Sequence, residues 1–428
     1  MNLSDQFKKS YLNYFASIFL PAIISSISIP VIKRLLGAEE YGYYSIYYNG
    51  VLLCSVAITT WVSQSILRFA PEYENKYFLS RKAMQFVTTS MFFSVIPVTF
   101  ASYYVTHDAG LATTISVIFL CNSYQLVFLS LAQSELLSKK LVIAETIRTS
   151  LFLIFSVFLL LLNYFDGVKS MLYAIIISLT VSLFYLNRIL NKNWNTENKN
   201  ASDVKPRLPL RKFLNYGLPL TAWFVFAQLI TYADKFLLSK YFGPEIQGNY
   251  QAIYDMLYRG ITILVMPVLV TLMPLLSREH QAGNTAGIKQ LLRKIIIYQI
   301  LVLLGISVSY FLFAKDLLFM LLKIPDNENY GIAGFLLIVS AFLWQMAMVI
   351  HKRHELELKT NHMLWYIILA FFAQIFFYYI FYDHHNFLIF PMGCLMASLC
   401  YLILVSFPPG FNFSGFIHLK SETKQKTD

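Results

Sequence analysis

Charged residues are scarce in this chain. Asp, Glu, Lys and Arg together make up 13% of the 428 residues, whereas hydrophobic residues make up 57%. Soluble domains carry about 25% charged residues, so a surface that faces mainly water is excluded. The composition instead predicts an integral membrane protein.

Cysteines are few, and the motifs of common enzyme classes are missing. The four cysteines all lie in apolar runs, so neither a disulfide framework nor a cysteine metal cluster is predicted. No nucleophile elbow, phosphate-binding loop or zinc-protease motif occurs. The histidine-containing segments 351–355 and 383–385 are expected in loops. We therefore predict no catalytic residue, no metal site and no cofactor.

Long apolar runs are what the chain has instead. A helix needs about 20 apolar residues to cross the hydrocarbon core of a bilayer, and twelve such runs occur. The sequence thus predicts an all-α polytopic membrane protein with about twelve transmembrane helices. The predicted spans are 11–32, 43–67, 83–105, 111–134, 142–163, 169–190, 213–241, 248–276, 290–313, 331–350, 362–382 and 386–407.

A polar segment divides these spans into two sets of six. Its composition suits a flexible connection that ends in a proline-stiffened approach to the next helix. The predicted organisation is an N-terminal lobe (1–190), a cytoplasmic linker (191–212), a C-terminal lobe (213–408) and a cytoplasmic tail (409–428).

The two lobes share a weak internal repeat. A stretch beginning at Gly37 aligns with one beginning at Gly243, with five identities in twelve positions. Both stretches join the first two helices of a lobe, which makes the repeat parallel. Parallel repeats with a substrate site between them are a transporter architecture. A generic helix–turn–helix connection remains the alternative explanation of the identities.

Lysine and arginine are unevenly distributed about the predicted membrane. With a cytoplasmic N-terminus, 26 of the 34 Lys and Arg residues lie in cytoplasmic segments and 7 in outer segments. Positive residues favour the cytoplasmic side, so both termini are predicted there. The same bias accounts for the net charge of +11, and no nucleic-acid partner is predicted.

The predicted spans 213–241 and 248–276 contain Asp234, Lys235, Asp255 and Arg259. An ionised side chain inside a membrane costs about 2.5–3.5 kcal/mol. Asp255 and Arg259 share a helix face; they form either a structural salt bridge or a cavity site in which Arg259 binds phosphate. Asp234 and Lys235 point about 100° apart. One is expected to face a cavity, and the alternative for Lys235 is to reach the outer surface.

Other candidate substrate-binding residues are basic or aromatic. Arg34 lies at the outer end of the first helix and Arg68 at the inner end of the second. Both are either interface anchors or contacts for a lipid headgroup. A tyrosine stripe serves either packing and interfacial anchoring or stacking on sugar rings. The stripe comprises Tyr44, Tyr48, Tyr250, Tyr254 and Tyr258.

Two motifs carry a family resemblance. They are KRLLGAEEYGYYS at 33–45 and YADKFLLSKYFGPEIQGNYQAIY at 232–254. Together with the six-plus-six arrangement, they resemble the O-antigen and capsule repeat-unit flippases of the multidrug/oligosaccharidyl-lipid/polysaccharide exporter superfamily. The resemblance implies a non-enzymatic protein of the bacterial inner membrane, active in lipopolysaccharide or related polysaccharide biosynthesis. It implies alternating access, an undecaprenyl-pyrophosphate-linked oligosaccharide as substrate and membrane lipids as surroundings. Polymerase and chain-length proteins of the pathway are candidate partners.

Two alternatives stay open. One is a drug or metabolite exporter of the same superfamily, although the first predicted span lacks the acid that many drug exporters carry there. The other is a membrane polysaccharide polymerase or ligase, which typically has a large outer loop. The longest outer loop predicted here is 314–330. The sequence leaves open whether a proton or a sodium ion is coupled to transport.

Overall fold

The computed structural model describes residues 3–73, 76–135, 137–197, 210–281, 283–356, 360–382 and 386–407. Within these ranges the chain forms twelve helices and no strand, which confirms the predicted all-α fold. The first six are α1 (Leu3–Leu36), α2 (Ala38–Phe69), α3 (Lys76–Thr106), α4 (Ala109–Ser134), α5 (Ser138–Leu162) and α6 (Gly167–Glu197).

The second six helices include two with π-helical turns. Helix α8 runs without a break through Pro244–Ile253, a π-helical turn at Tyr254–Arg259, and Gly260–Gln281. The others are α7 (Leu210–Phe242), α9 (Thr285–Lys315, continued by a π-helical turn at Asp316–Leu321), α10 (Glu328–Leu356), α11 (Thr360–Phe381) and α12 (Ile389–Ser406).

Ten of the twelve helices, all except α1 and α8, are long and apolar enough to cross a membrane when the described residues are considered. Most helices extend beyond the predicted spans, because hydropathy marks only the part inside the hydrocarbon core. Helix α6 continues to Glu197 and α7 begins at Leu210, so both enter the segment predicted as a linker. Residues 198–209 and the tail from 409 lie outside the described ranges.

One local expectation is wrong. Residues 351–355 were expected in a loop, but they form the last turns of α10, where His351 is buried. The Nδ1 atom of His351 hydrogen-bonds the Tyr401 hydroxyl, which explains how a polar ring is accommodated inside the lobe. Residues 383–385 lie outside the described ranges.

The two lobes begin in the same way. Gly37 and Gly243 precede α2 and α8 with φ angles of 85° and 88°, a region that favours glycine. The Gly37 amide donates to the Lys33 carbonyl at 3.0 Å, and the Gly243 amide donates to the Ser239 carbonyl at 3.0 Å. The sequence repeat is therefore also a repeat of backbone geometry. We call the end of the molecule that carries these two turns the hairpin end.

The lobes meet mainly along three pairs of helices. Helices α2 and α8 cross closely at the hairpin end, where the Gln247 side-chain amide donates to the Ser45 hydroxyl at 2.9 Å. Helix α2 also packs along α7, and the Ser65 hydroxyl donates to the Phe213 carbonyl at 3.0 Å. Helix α1 of the first lobe also packs against α8, and an apolar groove lies between them on the surface of the bundle.

Candidate functional site

The π-helical turn of α8 faces the first lobe. Its counterpart in the repeat, α2, is α-helical throughout Ala38–Phe69, so the turn belongs to the second lobe alone. Such turns are rare and often occur at functional sites. This turn contains Asp255 and Arg259, two of the charges that the sequence places inside the membrane.

Asp255 and Arg259 form an ion pair that also joins the two lobes. The Arg259 Nε atom lies 3.0 Å from Asp255 Oδ1. The Tyr41 hydroxyl of the first lobe donates to Asp255 Oδ2 at 2.9 Å. The Arg259 Nη2 atom donates to Asn49 Oδ1, also of the first lobe, at 3.0 Å. The predicted salt bridge is confirmed, and its partners span the lobe interface.

The same pair lines a polar cavity of about 320 Å³ between α1, α2, α5, α6 and α8. Arg148 of α5 lines this cavity as well. Its Nη2 and Nε atoms lie 2.7 and 3.0 Å from Glu145 Oε2. Nη1 of Arg148 and Nη1 of Arg259 have no hydrogen-bond partner among the described residues. Two guanidinium groups thus keep donors available at one cavity.

Hydroxyl and amide groups supply the rest of the polar lining. Tyr44 and Tyr48 stack with ring centroids 6.1 Å apart and planes 7° apart. Both line the cavity together with Asn49, Ser26 and other small polar residues. Flat aromatic faces beside hydroxyl and amide groups suit the contacts that sugar rings make.

An apolar groove of about 560 Å³ adjoins the cavity. It runs between α1 and α8 and shares Ser26 and Ile263 with the cavity lining. Ile23, Ile27 and Leu264 on its walls are exposed, so the groove opens on the outer surface of the helical bundle. The groove and the cavity are therefore neighbouring spaces that share part of their walls, one mainly apolar and the other more polar.

Arg34 and Arg68 lie at opposite ends of the molecule. Arg34 lines the groove at the hairpin end, in the last turn of α1. Its Nε atom donates to the Leu321 carbonyl at 2.9 Å. Arg68 is exposed in the last turn of α2, away from both spaces.

The remaining predicted residues lie inside the second lobe and do not line the cavity in this conformation. Asp234 and Lys235 are 0% and 1% exposed, so the alternative that Lys235 reaches the outer surface is wrong. The Lys235 ammonium lies 3.5 Å from the centroid of the Tyr254 ring, a cation–π contact that replaces hydration.

Tyrosines complete this buried group. The Tyr250 hydroxyl donates to Asp234 Oδ2 at 2.8 Å. Tyr254 stacks on Tyr258 with centroids 4.6 Å apart. The tyrosine stripe is thus divided, since Tyr44 and Tyr48 reach the cavity and the other three pack within the lobe.

Arg148 is the residue that the sequence interpretation missed. It was counted with the cytoplasmic cations although it lies within the predicted span 142–163. Glu145 lies three residues before it, on the same helix face. The criterion that singled out Asp255 and Arg259, an opposite-charge pair inside an apolar run, identifies this pair as well. Within the described residues no three His, Cys, Asp or Glu side chains are grouped to hold a metal ion.

Comparisons with known proteins agree on the class of the molecule. Residues 7–280 match the family described as polysaccharide biosynthesis protein. No protein of curated function matches the chain by sequence. Among solved structures, a MOP superfamily transporter from Pyrococcus furiosus is 13% identical with a TM-score of 0.70, over 93% of this chain and 94% of that one. That transporter is described as having a binding pocket of reversed polarity that suggests a different function.

A multidrug resistance MATE family transporter of the MOP superfamily also matches in two conformations. Its inward-facing form is 14% identical with a TM-score of 0.67, over 89% of this chain and 92% of that one. Its outward-facing form is 15% identical with a TM-score of 0.63, over 90% and 93%. The chain therefore belongs to the polysaccharide biosynthesis protein family and has the two-lobed fold of MOP superfamily transporters.

Proposed function

We propose that the protein moves undecaprenyl-pyrophosphate-linked oligosaccharide repeat units across the bacterial inner membrane by alternating access. The observation that carries the proposal is an apolar groove directly beside a cavity that holds two arginines, with Ser26 and Ile263 lining both. A lipid-linked oligosaccharide has the same division, with a long hydrocarbon chain joined to a charged, sugar-bearing headgroup. The proposal includes no catalytic step.

The groove suits the hydrocarbon chain. Its lining consists mainly of aliphatic residues of α1 and α8, and a Cβ placed on Gly260 would meet no atom within 4 Å. Because the groove opens on the outer surface of the bundle, a polyprenyl chain can remain in contact with the membrane while its headgroup enters the cavity. Contact between the polyprenyl chain and these aliphatic side chains leaves no hydrogen-bonding group without a partner.

The cavity suits the pyrophosphate and the first sugars. Arginine binds phosphate oxygens through a planar fork of N–H donors. Arg148 and Arg259 each keep Nη1 available. Glu145 binds Nε and Nη2 of Arg148, while Asp255 binds Nε and Asn49 binds Nη2 of Arg259. The stacked rings of Tyr44 and Tyr48 and the neighbouring amide and hydroxyl groups supply sugar contacts.

The closed hairpin end supports an alternating-access cycle. The two lobes touch there through α2 and α8, whereas the groove lies between α1 and α8. With the predicted topology the hairpin end is periplasmic and both termini are cytoplasmic, so this conformation blocks release to the periplasm. The MATE transporter that shares the fold is described in both inward-facing and outward-facing conformations.

A drug or metabolite exporter is the second candidate, and the fold supports it because two of the matching structures are of a multidrug transporter. The cavity distinguishes the two functions. Each arginine is paired with a carboxylate, but Nη1 of each keeps donors for an anionic headgroup. The Asp255 carboxylate, which a cationic drug would need, is already occupied by Arg259 and Tyr41. Lipid-linked anions are therefore the better match.

Deleting the gene separates the two functions. We expect loss of surface polysaccharide and accumulation of lipid-linked repeat units in the cytoplasmic leaflet. Normal surface polymer combined with altered drug sensitivity would contradict the flippase and favour the exporter.

Arg259 provides the residue-level test. In proteoliposomes, Arg259→Ala should reduce movement of the lipid-linked substrate by roughly 10- to 100-fold, the equivalent of one lost charge-assisted hydrogen bond. Arg259→Lys should retain part of the activity because it keeps the charge without the fork. The control is Arg293→Ala, which removes an exposed arginine of α9. Full activity in all three variants would remove Arg259 from the substrate path.

A further inference from the structure

The connection between α9 and α10 has no equivalent of its length in the first lobe. Residues 107–108 suffice to join α3 to α4, whereas the π-helical turn 316–321 that continues α9 and residues 322–327 lie between Lys315 and the start of α10. We call residues 316–327 the α9–α10 connection. Leu318, Leu322 and Ile324 within it are buried, so it is a packed part of the second lobe at the hairpin end.

Two cations of the first lobe bind the backbone of this connection. The Lys33 ammonium donates to the Lys323 carbonyl at 3.0 Å. Arg34 donates through Nε to the Leu321 carbonyl at 2.9 Å and through Nη2 to the Met320 carbonyl. Carbonyls at the C-terminal end of a helical segment lack partners within it and carry partial negative charge. Arg34 and Lys33 therefore cap a helical turn of the opposite lobe.

This contact is found on one side only. In the repeat, Arg34 of α1 corresponds to Lys240 of α7. Lys240 lies over the ring of its neighbour Tyr241, 5.6 Å from the centroid, and the short α3–α4 connection offers no comparable turn to it. The contact is therefore present on one side of the lobe interface and is not a consequence of the internal repeat.

The backbone is strained where Lys33 binds. Lys323 has a φ angle of 47°, a left-handed conformation that is unfavourable for a residue with a side chain. The following amide, of Ile324, donates to the Leu318 carbonyl at 3.0 Å and holds this conformation. A strained backbone conformation of this kind persists only where surrounding contacts enforce it. Such residues often occur at ligand clamps and switch regions.

Arg34 binds the α9–α10 connection through Nε and Nη2, which form one of the edges that arginine uses to bind phosphate. Its Nε and Nη2 atoms donate to the carbonyl oxygens of two consecutive residues, and the same two groups can donate to two oxygens of one phosphate. Arg34 also lines the groove assigned to the polyprenyl chain. A phosphate at the hairpin end of the groove thus competes for the same N–H groups, and charged acceptors form hydrogen bonds about twice as strong as neutral ones.

We propose that the contact of Arg34 and Lys33 with the α9–α10 connection is a latch that closes the hairpin end and that the substrate's phosphate releases it. The inference rests on the proposed function. Without a phosphate, Arg34 holds the connection and the lobes stay together. When the pyrophosphate reaches Arg34, it replaces the carbonyls of Met320 and Leu321, and the connection separates from α1.

Distances between two spin labels test the latch in the full chain. Glu39 and Asp326 are exposed and lie on the first lobe and on the connection. Both are changed to Cys in a background without the four native cysteines, and the labelled protein is placed in lipid nanodiscs. The added probes are undecaprenyl pyrophosphate, undecaprenol and inorganic pyrophosphate.

We expect undecaprenyl pyrophosphate to shift the distances to longer values and undecaprenol to leave them unchanged. A shift with inorganic pyrophosphate alone would show that the phosphate opens the latch without the lipid.

Arg34→Gln should raise the ratio of open to closed molecules about tenfold without ligand, which corresponds to ~1.4 kcal/mol. It should then show no further response to the lipid. Lys315→Gln, which removes an exposed nearby cation, should behave like the wild type.

Two results would overturn the latch. One is an unchanged ligand-free distance distribution in Arg34→Gln. The other is an unchanged distribution with undecaprenyl pyrophosphate while the same protein moves lipid-linked oligosaccharide in proteoliposomes, which would leave the proposed function intact. Conversely, a distance response together with absence of lipid movement would support the latch and contradict the proposed function.

Discussion

Two glycines set how closely the lobes approach at the hairpin end. A Cβ on Gly42 would overlap the Pro244 carbonyl oxygen, and a Cβ on Gly248 would overlap the Ala38 carbonyl oxygen. The two contacts are equivalent under the repeat, because residues 42 and 248 correspond, as do 38 and 244. The lobe interface is thus built from backbone atoms in contact, which leaves no room for even a methyl group.

The residue-scale prediction concerns Gly248. Gly248→Ala should destabilise the protein by about 1–3 kcal/mol, because overpacking at a close contact forces the backbone apart. The control is Gly305→Ala in α9, where a Cβ would meet nothing within 4 Å. That change should leave stability unchanged or raise it by about 0.4–1 kcal/mol. Thermal unfolding in detergent measures both, and equal behaviour of the two variants would contradict the close-contact argument.

Single residues show where sequence reasoning succeeds and where it stops. The charge pair Asp255 and Arg259 was identifiable because an unsolvated ion in an apolar run needs a partner. Arg148 could have been found by the same argument. Asn49 and Tyr41, which bind this pair from the first lobe, could not. Polar uncharged residues are common in membrane helices, and only the three-dimensional crossing of α2 and α8 brings these two to the pair.

At the scale of elements, hydropathy located the helices but not their interruptions. The spans follow from apolar length alone. The π-helical turn at Tyr254–Arg259 reflects one additional residue in a helical turn, and neither helix propensity nor hydropathy distinguishes such a turn from a regular one. Yet this turn aims Arg259 at the cavity. The α9–α10 connection was likewise read as a loop, because its contacts with Arg34 are made by carbonyl groups that every sequence has.

The start of α4 gives a prediction about pH. Asp108 lies between the spanning parts of α3 and α4. The Leu111 amide, the Lys169 ammonium and the Gly110 amide hold the pKa of the Asp108 carboxyl below its ordinary value. The ionised carboxylate therefore stabilises the folded state above the unfolded pKa, and this contribution is lost as the pH falls through the folded pKa.

Asp108→Asn keeps a helix-capping oxygen but removes the charge. We expect the wild type to unfold at a higher temperature than Asp108→Asn at neutral pH, and the difference to narrow as the pH falls below about 3.9, the ordinary pKa of aspartate. Asp326→Asn, at an exposed position without an ion pair among the described residues, serves as the control. A difference that stays constant with pH would show that the charge of Asp108 does not matter.

At the scale of the whole molecule, the two lobes are similar but their interface is not symmetric. Helix α2 packs along α7 through contacts such as Ser65 with Phe213, whereas the packing of α1 against α8 leaves an apolar groove open to the outer surface. Hydropathy predicted twelve helices and the repeat predicted two lobes. Neither predicts where the groove lies, because the apolar surface that faces lipid and the apolar surface that faces the other lobe have the same composition.

The direction of the repeat has a consequence for the two hairpin turns that can be tested in cells. A parallel repeat places residues 39 and 245, both exposed in the first turns of α2 and α8, on the same side of the membrane. The distribution of lysine and arginine predicts that this side is periplasmic. In a cysteine-free background, Glu39→Cys and Glu245→Cys should both react with a membrane-impermeant maleimide in intact spheroplasts. Lys139→Cys, exposed on α5 and predicted to be cytoplasmic, should react only after permeabilisation.

An inverted repeat would expose one hairpin turn and protect the other, so labelling of a single turn would contradict the parallel arrangement. Labelling of Lys139→Cys alone would instead keep the parallel repeat and reverse its orientation. The latch at Arg34 would then close the cytoplasmic side, and the phosphate would meet it when the substrate enters.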